Sequence, residues 1–320
     1  MSIAVTIVLF AIGIVLVVKG GDYFVDAASW IAETSGIPKL IVGATVVSFA
    51  TTLPELLVSS FAAVEGKVDI AAGNAIGSVT ANLGLIMGIA IVCMPSVIRR
   101  RDYLLKSVLM LAGALILAVL CQGGSLELWP CFLLLLVFFL AMGENVHGAR
   151  KALREQEPAQ RRRSKPTGKE IALHVLKFVF GIAAIIVGAQ LLVTYGSAIA
   201  LMLGVPERII GVTIIAVGTS LPELVTTLTA IAKKEASLSA GNIIGANIID
   251  LTLILPVCAF LSGGALPVSA QTAALDLPVC LAMGLLALVP TLITRKFHRV
   301  QGIVMLLGYA GYVAYTCLVM

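Results

Sequence analysis

Apolar residues run along this chain in long blocks separated by short polar interruptions. A helix needs roughly 20 predominantly apolar residues to cross a bilayer. Ten blocks reach or approach that length: residues 2–18, 40–64, 70–94, 104–121, 128–143, 171–194, 208–232, 238–261, 274–293 and 300–319. The pattern predicts an all-α polytopic membrane protein with ten transmembrane helices. The first block has no basic residue ahead of its apolar run and has a counterpart later in the chain. It is therefore read as a span rather than a signal peptide.

Composition agrees with that pattern. The chain is 59% hydrophobic and 12% charged, with mean hydropathy +1.06, against about 25% charged residues in a soluble domain. So few charges cannot keep a surface wet, and lipid must solvate most of the fold. The six cysteines, Cys93, Cys121, Cys131, Cys258, Cys280 and Cys317, lie in or beside apolar blocks without a C-x-x-C. They read as small apolar residues rather than metal ligands or a disulfide framework.

Basic residues set the predicted orientation. Residues 144–170 hold eight of the 22 Lys and Arg residues, and basic loops stay in the cytoplasm. With that segment inside, five spans before it place the N-terminus outside, and ten spans place the C-terminus outside as well. The other predicted inside loops carry Lys39, Arg99, Arg100, Arg101, Lys233, Lys234, Arg295, Lys296 and Arg299, while the outside loops carry only Lys67 and Arg208. This bias accounts for the net charge of +5, and nothing further supports a nucleic-acid partner. No obligate protein partner is evident.

A shift of 168 positions superposes one half of the sequence on the other. "GATVVSFATTLPELLVSSFAAVEGKVDIAAGNAIGSVTANLGLIMG", residues 43–88, matches "GVTIIAVGTSLPELVTTLTAIAKKEASLSAGNIIGANIIDLTLILP", residues 211–256, with sixteen of 46 pairs identical. Upstream, Gly20 meets Gly188 and Pro38 meets Pro206. The chain divides into a first repeat, 1–143, a basic cytoplasmic linker, 144–170, and a second repeat, 171–320. An odd number of spans per half inverts the second half, which predicts two inverted five-helix repeats with a site at the midplane between them.

The identities cluster in T-[TS]-L-P-E-L and G-N-x-I-G. Pro54 and Pro222 remove a backbone donor and free the carbonyls of Ala50 and Gly218. A bare carbonyl at that depth is tolerated only where protein, water or an ion satisfies it. If the helix resumes past the proline, Thr51 and Thr52 lie on the face of Glu55; Thr219, Ser220 and Glu223 repeat the arrangement. The second motif places Ser78 and Asn82 in one repeat and Asn247 and Asp250 in the other. Glu55, Glu223 and Asp250 are carboxylates at depth, and no Lys or Arg lies deep enough in these spans to pair with them, so a bound cation or protonation must compensate. The donors are all oxygen, which suits hard cations such as Ca²⁺ rather than soft metals. No H-E-x-x-H or G-x-S-x-G supports an intramembrane hydrolase, so no enzyme is expected. A passive channel would have little use for a cage of this charge.

T-[TS]-L-P-E twice, each followed by G-N-x-I-G, resembles the cation/calcium exchanger superfamily, and within it the prokaryotic sodium/calcium exchangers. The resemblance spans essentially the whole chain. It implies antiport of Na⁺ against Ca²⁺ in a prokaryotic inner membrane, both ions bound as substrates and no cofactor. It further implies that Glu55, Glu223, Thr51 and Thr219 hold Ca²⁺. Na⁺ would use the same glutamates with Thr52, Ser220, Ser78 and backbone carbonyls near Ser48 and Ala216, while Asn82 and Asp250 line the centre. Two positions depart from the family's Gly-Ser-Asn: Val79 in the first motif and Ala246 in the second. Ala246 lacks a hydroxyl that would help bind Na⁺, which leaves H⁺ or K⁺ coupling as the alternative to Na⁺.

Overall fold

The computed structural model describes residues 3–155, 166–204 and 218–319, and they are helical almost throughout. Helix α1 spans Ile3–Ser35. The next span is bent by 45° into α2, Lys39–Thr51, and α3, Leu53–Val64. Then come α4, Val68–Cys93, α5, Arg100–Leu120, and α6, Leu128–Glu155. The second half holds α7, Gly168–Met202, α8, Leu221–Ala232, α9, Ala236–Leu261, α10, Thr272–Thr294, and α11, Arg299–Val319. Among the described residues, eight helices are long and apolar enough to cross a bilayer, nine with the bent pair counted as one. The twelve-residue α8 occupies the place of the span expected at 208–232. Of the residues expected at the site, Ala216 lies outside the described residues, as do Pro206, Arg208 and Gly211.

Several helices outrun their apolar blocks. Helix α1 continues past residue 18 to Ser35, and α6 past residue 143 to Glu155. Apolarity marks what lies in hydrocarbon, whereas a helix ends only where its backbone pairing ends. In α1 the extension is held by packing and charge: Phe24, Val25 and Ala28 are buried, and Lys233 bridges Asp26 at 2.6 Å. Helix α7 opens on a capping box, with the Thr167 hydroxyl accepting from the Glu170 amide and the Glu170 carboxylate accepting from the Thr167 amide. Residues 144–155 of the expected linker are thus helical.

Two sets of contacts express the twofold relation between the halves. Helices α1 and α7 lie side by side. A Cβ at Gly13 would stand 3.1 Å from the Gly188 carbonyl oxygen, and one at Gly181 would stand 2.9 Å from that of Gly20. The 168-residue shift carries Gly13 to Gly181 and Gly20 to Gly188, so each contact is the image of the other. The pairing runs antiparallel, as an isologous contact about a twofold axis requires.

The second set lies in the loops. Strand β1, Ser125–Glu127, pairs antiparallel with β2, Ala265–Pro267, with Glu127 opposite Ala265. Val97 forms an isolated bridge with Lys296. Shifted by 168, Val97 becomes Ala265, and Lys296 falls beside Glu127. One pairing sits before α5 and the other after it, hence at opposite ends of the bundle. An axis that exchanges opposite ends lies across the helices, in the plane of a membrane. The chain is an all-α polytopic membrane protein of ten transmembrane helices in two inverted five-helix repeats.

Burial ranks the helices. In α9, 83% of the apolar stretch is buried and in α4 67%, against 22% in α1 and in α7. Helices α4 and α9 therefore form the centre, and α1 and α7 lie at the margin. Phe61, Phe139 and Leu307 remain exposed, as expected of side chains that meet lipid. One face gathers the basic loops: Lys39, Arg99 and Lys234 line a single cleft with Asp102 and Glu235. Across it Lys39 bridges Glu235 at 2.6 Å and Glu33 at 2.9 Å.

Candidate cation site

The site begins with two helix breaks. Helix α2 ends at Thr51 and α3 begins at Leu53 with Pro54 in its first turn; α8 begins at Leu221 with Pro222 in the same place. Proline has no N–H to leave unsatisfied at a helix start, and its fixed φ suits that position. Each break then sets a carboxylate, Glu55 or Glu223, in a first turn, where the positive end of the helix dipole favours it. The breaks face the central helices. Both central helices widen at equivalent points into π-helical turns, Asn82–Met87 in α4 and Asp250–Ile254 in α9. Such turns recur at functional sites.

The structure brings the described candidates together. Thr51, Thr52, Glu55, Ser78, Asn82, Ser220, Glu223 and Asp250 are all buried, with Glu55 at 1% exposure and Glu223 and Asp250 at 0%. The Ser78 and Thr219 hydroxyls stand 3.5 Å apart, one from each repeat. Asn82 donates its amide to Asn247 Oδ1 at 3.1 Å, and the Asn247 amide in turn points at the Met110 sulfur at 3.8 Å. The Ser48 carbonyl accepts from the Thr51 hydroxyl at 3.3 Å and also from the Thr52 hydroxyl.

One expectation is corrected. Thr51 and Thr52 do not present their hydroxyls to Glu55. Thr52 donates across the repeat boundary to Glu223 Oε1 at 3.4 Å, and Thr51 reaches Asn242 Oδ1 at 3.2 Å. The chain bends by 45° at Thr52, and at that bend the other repeat presents Asn242 and Glu223 within reach of the two hydroxyls. The candidate residues are interleaved between repeats.

Two asparagines belong to this site although sequence reasoning passed over them. Asn74 donates to the Glu55 carbonyl at 3.3 Å and to the Ser59 hydroxyl at 2.9 Å. Its counterpart Asn242 meets Thr51. Both are the Asn of G-N-x-I-G, and its identity in both motifs was the available signal. Asn247, which holds Asn82, has only Val79 as its counterpart.

Polar atoms left without partners mark what the site can accept. Both oxygens of Glu55, both of Asp250, Glu223 Oε2, Asn82 Oδ1 and Ser220 Oγ are buried without a hydrogen-bond partner. Unsatisfied buried carboxylates are very costly, and a hard cation offers them what no nearby donor does. Lys106, buried at 2% exposure, pairs with Glu144 and not with these groups. Among the described residues no three His, Cys, Asp or Glu side chains cluster tightly enough to hold a metal by themselves. A cation here would therefore share its coordination between glutamates, hydroxyls, amides and backbone oxygens, the donor set of weakly held alkali and alkaline-earth ions.

Comparison with known proteins places this arrangement. The family model described as sodium/calcium exchanger protein matches residues 5–143 and 173–318. The sodium/calcium exchanger MaX1 of Methanosarcina acetivorans is 30% identical, over 97% of this chain and 98% of its own. The inner membrane protein YrbG of Escherichia coli is 36% identical over 80% of each chain. The solved structure of the sodium-calcium exchanger NCX_Mj soaked with 10 mM Na⁺ superposes with a TM-score of 0.84 at 28% identity, covering 98% of this chain and 99% of that one.

Proposed function

The chain belongs to the sodium/calcium exchanger protein family, and from that membership and its site we propose that it exchanges Na⁺ for Ca²⁺ across a membrane by alternating access. The observation that carries the reading is that Glu55 and Glu223, one from each inverted repeat, are both buried with carboxylate oxygens short of partners, and that Thr52 of the first repeat donates to Glu223 of the second. Ca²⁺ would lie between the two glutamates with Thr51 and Thr219. Na⁺ would use the same carboxylates with Thr52, Ser220, Ser78 and the backbone near Ser48 and Ala216. Two glutamates neutralise one Ca²⁺ or two Na⁺, so the loads compete for one charge, as obligate exchange requires. Asn82 and Asp250 stand at the π-helical turns behind them.

We assign the basic face to the cytoplasm and both termini to the opposite side, in the inner membrane of a prokaryote. The clustering of Lys39, Arg99 and Lys234 in one cleft supports that orientation through the positive-inside rule. Sodium-loaded liposomes containing the protein, diluted into sodium-free buffer, test the proposal. ⁴⁵Ca²⁺ uptake should need the outward sodium gradient and should fall to background in Glu223→Gln. Equal uptake in choline-loaded vesicles driven by a pH gradient would refute sodium coupling.

A further inference from the structure

Helix α5 starts among the arginines of the basic face, and its second turn carries a lysine into the protein. The Lys106 side chain is 2% exposed. Its ammonium pairs with the Glu144 carboxylate and donates to Asn145 Oδ1, both on α6. Asn145, also buried, then donates its side-chain amide to the carbonyl of Ala44 at 3.4 Å. Ala44 lies in the π-helical stretch Gly43–Val47 of α2. One turn further on is Ser48, whose carbonyl receives Thr51 and Thr52, and Thr52 in turn reaches Glu223.

Burial of an ion pair is a poor way to add stability, since well-packed apolar side chains serve as well. Such a pair is better explained by what it specifies. A π-helical turn holds one residue more than an α-turn, so whether it forms decides the register of everything after it. Its reversion to an α-turn would rotate Thr51 and Thr52 by about 100° about the axis of α2. The Asn145 amide fixes one carbonyl inside that stretch, and Lys106 fixes the amide by occupying its oxygen.

The residues of this relay are not repeated in the second half. Shifted by 168, Lys106, Glu144 and Asn145 become Ala274, Tyr312 and Val313. Tyr312 still ties the equivalent helices, donating to Asp276 at 2.8 Å. Val313 has no donor for a neighbouring carbonyl. The tie between fourth and fifth spans occurs in both halves, while the residues that reach α2 have equivalents without the side-chain donor, so the relay is not a remnant of duplication.

We propose that Lys106, Glu144 and Asn145 are positioning residues that set the register of α2 at the cation site; this rests on the exchange reading above. Two variants in proteoliposomes test it: Asn145→Ala, which leaves the ion pair, and Lys106→Met/Glu144→Gln, which removes both charges together. Each should purify as a monodisperse protein. Each should raise the KM for ⁴⁵Ca²⁺ by about fivefold, the scale of one buried hydrogen bond, with Vmax within about twofold of wild type. Wild-type uptake with unchanged KM in both variants overturns the clamp alone, as does a fall confined to Vmax. Failure of both variants to assemble also overturns it, by reducing the trio to a folding element. No uptake by the wild type overturns the exchange reading and the clamp with it.

Discussion

At the scale of single residues the site is a compromise between charge and oxygen count. Glu55, Glu223 and Asp250 supply more charge than neighbouring donors satisfy, and Ala246 supplies less oxygen than its counterpart Ser78. Ser78 meets Thr219 across the repeat boundary, whereas Ala246 is fully buried and its side chain has no polar atom to offer. Restoring the hydroxyl in Ala246→Ser should therefore strengthen sodium binding. The sodium concentration giving half-maximal exchange should fall by about fivefold, a change worth about 1 kcal/mol, with the calcium KM less affected. An unchanged sodium dependence would show that this position does not face the ion. The carboxylates were legible in the sequence because acids in apolar blocks have no ordinary explanation. The partners of Thr51 and Thr52 were not, because they depend on how far the helix bends at Thr52 and on which residue the other repeat then presents. Asn74 and Asn242 were visible in the motif, but their hydrogen bonds to Glu55, Ser59 and Thr51 arise only once the helices pack.

At the scale of elements, spans were read from apolarity and helices proved longer. The proline breaks fell where the motifs placed them, since loss of a backbone donor is a local event. The π-helical turns at Asn82 and Asp250 were not readable, because no residue type marks an inserted residue in a helix. Lys106 was hidden for a related reason. It sits near the start of the apolar block 104–121, just past Arg99, Arg100 and Arg101, and nothing in the pattern shows that the helix turns it inward. The pairing of β1 with β2 and of Val97 with Lys296 makes the inversion testable. With the native cysteines replaced, Ser125→Cys and Lys296→Cys should react with a membrane-impermeant maleimide from opposite sides. Lys296→Cys should react from the cytoplasmic side. Labelling of both from the same side would contradict the inverted arrangement.

At the scale of the whole molecule, duplication and inversion do most of the work. One sequence pattern, used twice in opposite directions, brings two half-sites to the axis that relates them. The 168-residue offset was plain in the sequence, and odd span counting supplied the inversion without any structure. The offset also shows where the halves differ, Asn82 against Asp250 and Ser78 against Ala246, while the buried clamp on α2 emerges only from the packing. Those differences allow a pseudo-symmetric transporter to treat its two faces and its two substrates unequally.

The central claim is that one cage, shared by Glu55 and Glu223, holds either substrate but not both. Equilibrium binding of ⁴⁵Ca²⁺ to the detergent-purified protein, titrated with NaCl at constant ionic strength, tests it most directly. The account predicts that Na⁺ displaces Ca²⁺ fully from the wild type, while choline does not, and that Glu55→Gln and Glu223→Gln each lose specific calcium binding. Calcium binding that survives either substitution, or that Na⁺ leaves untouched, would contradict it.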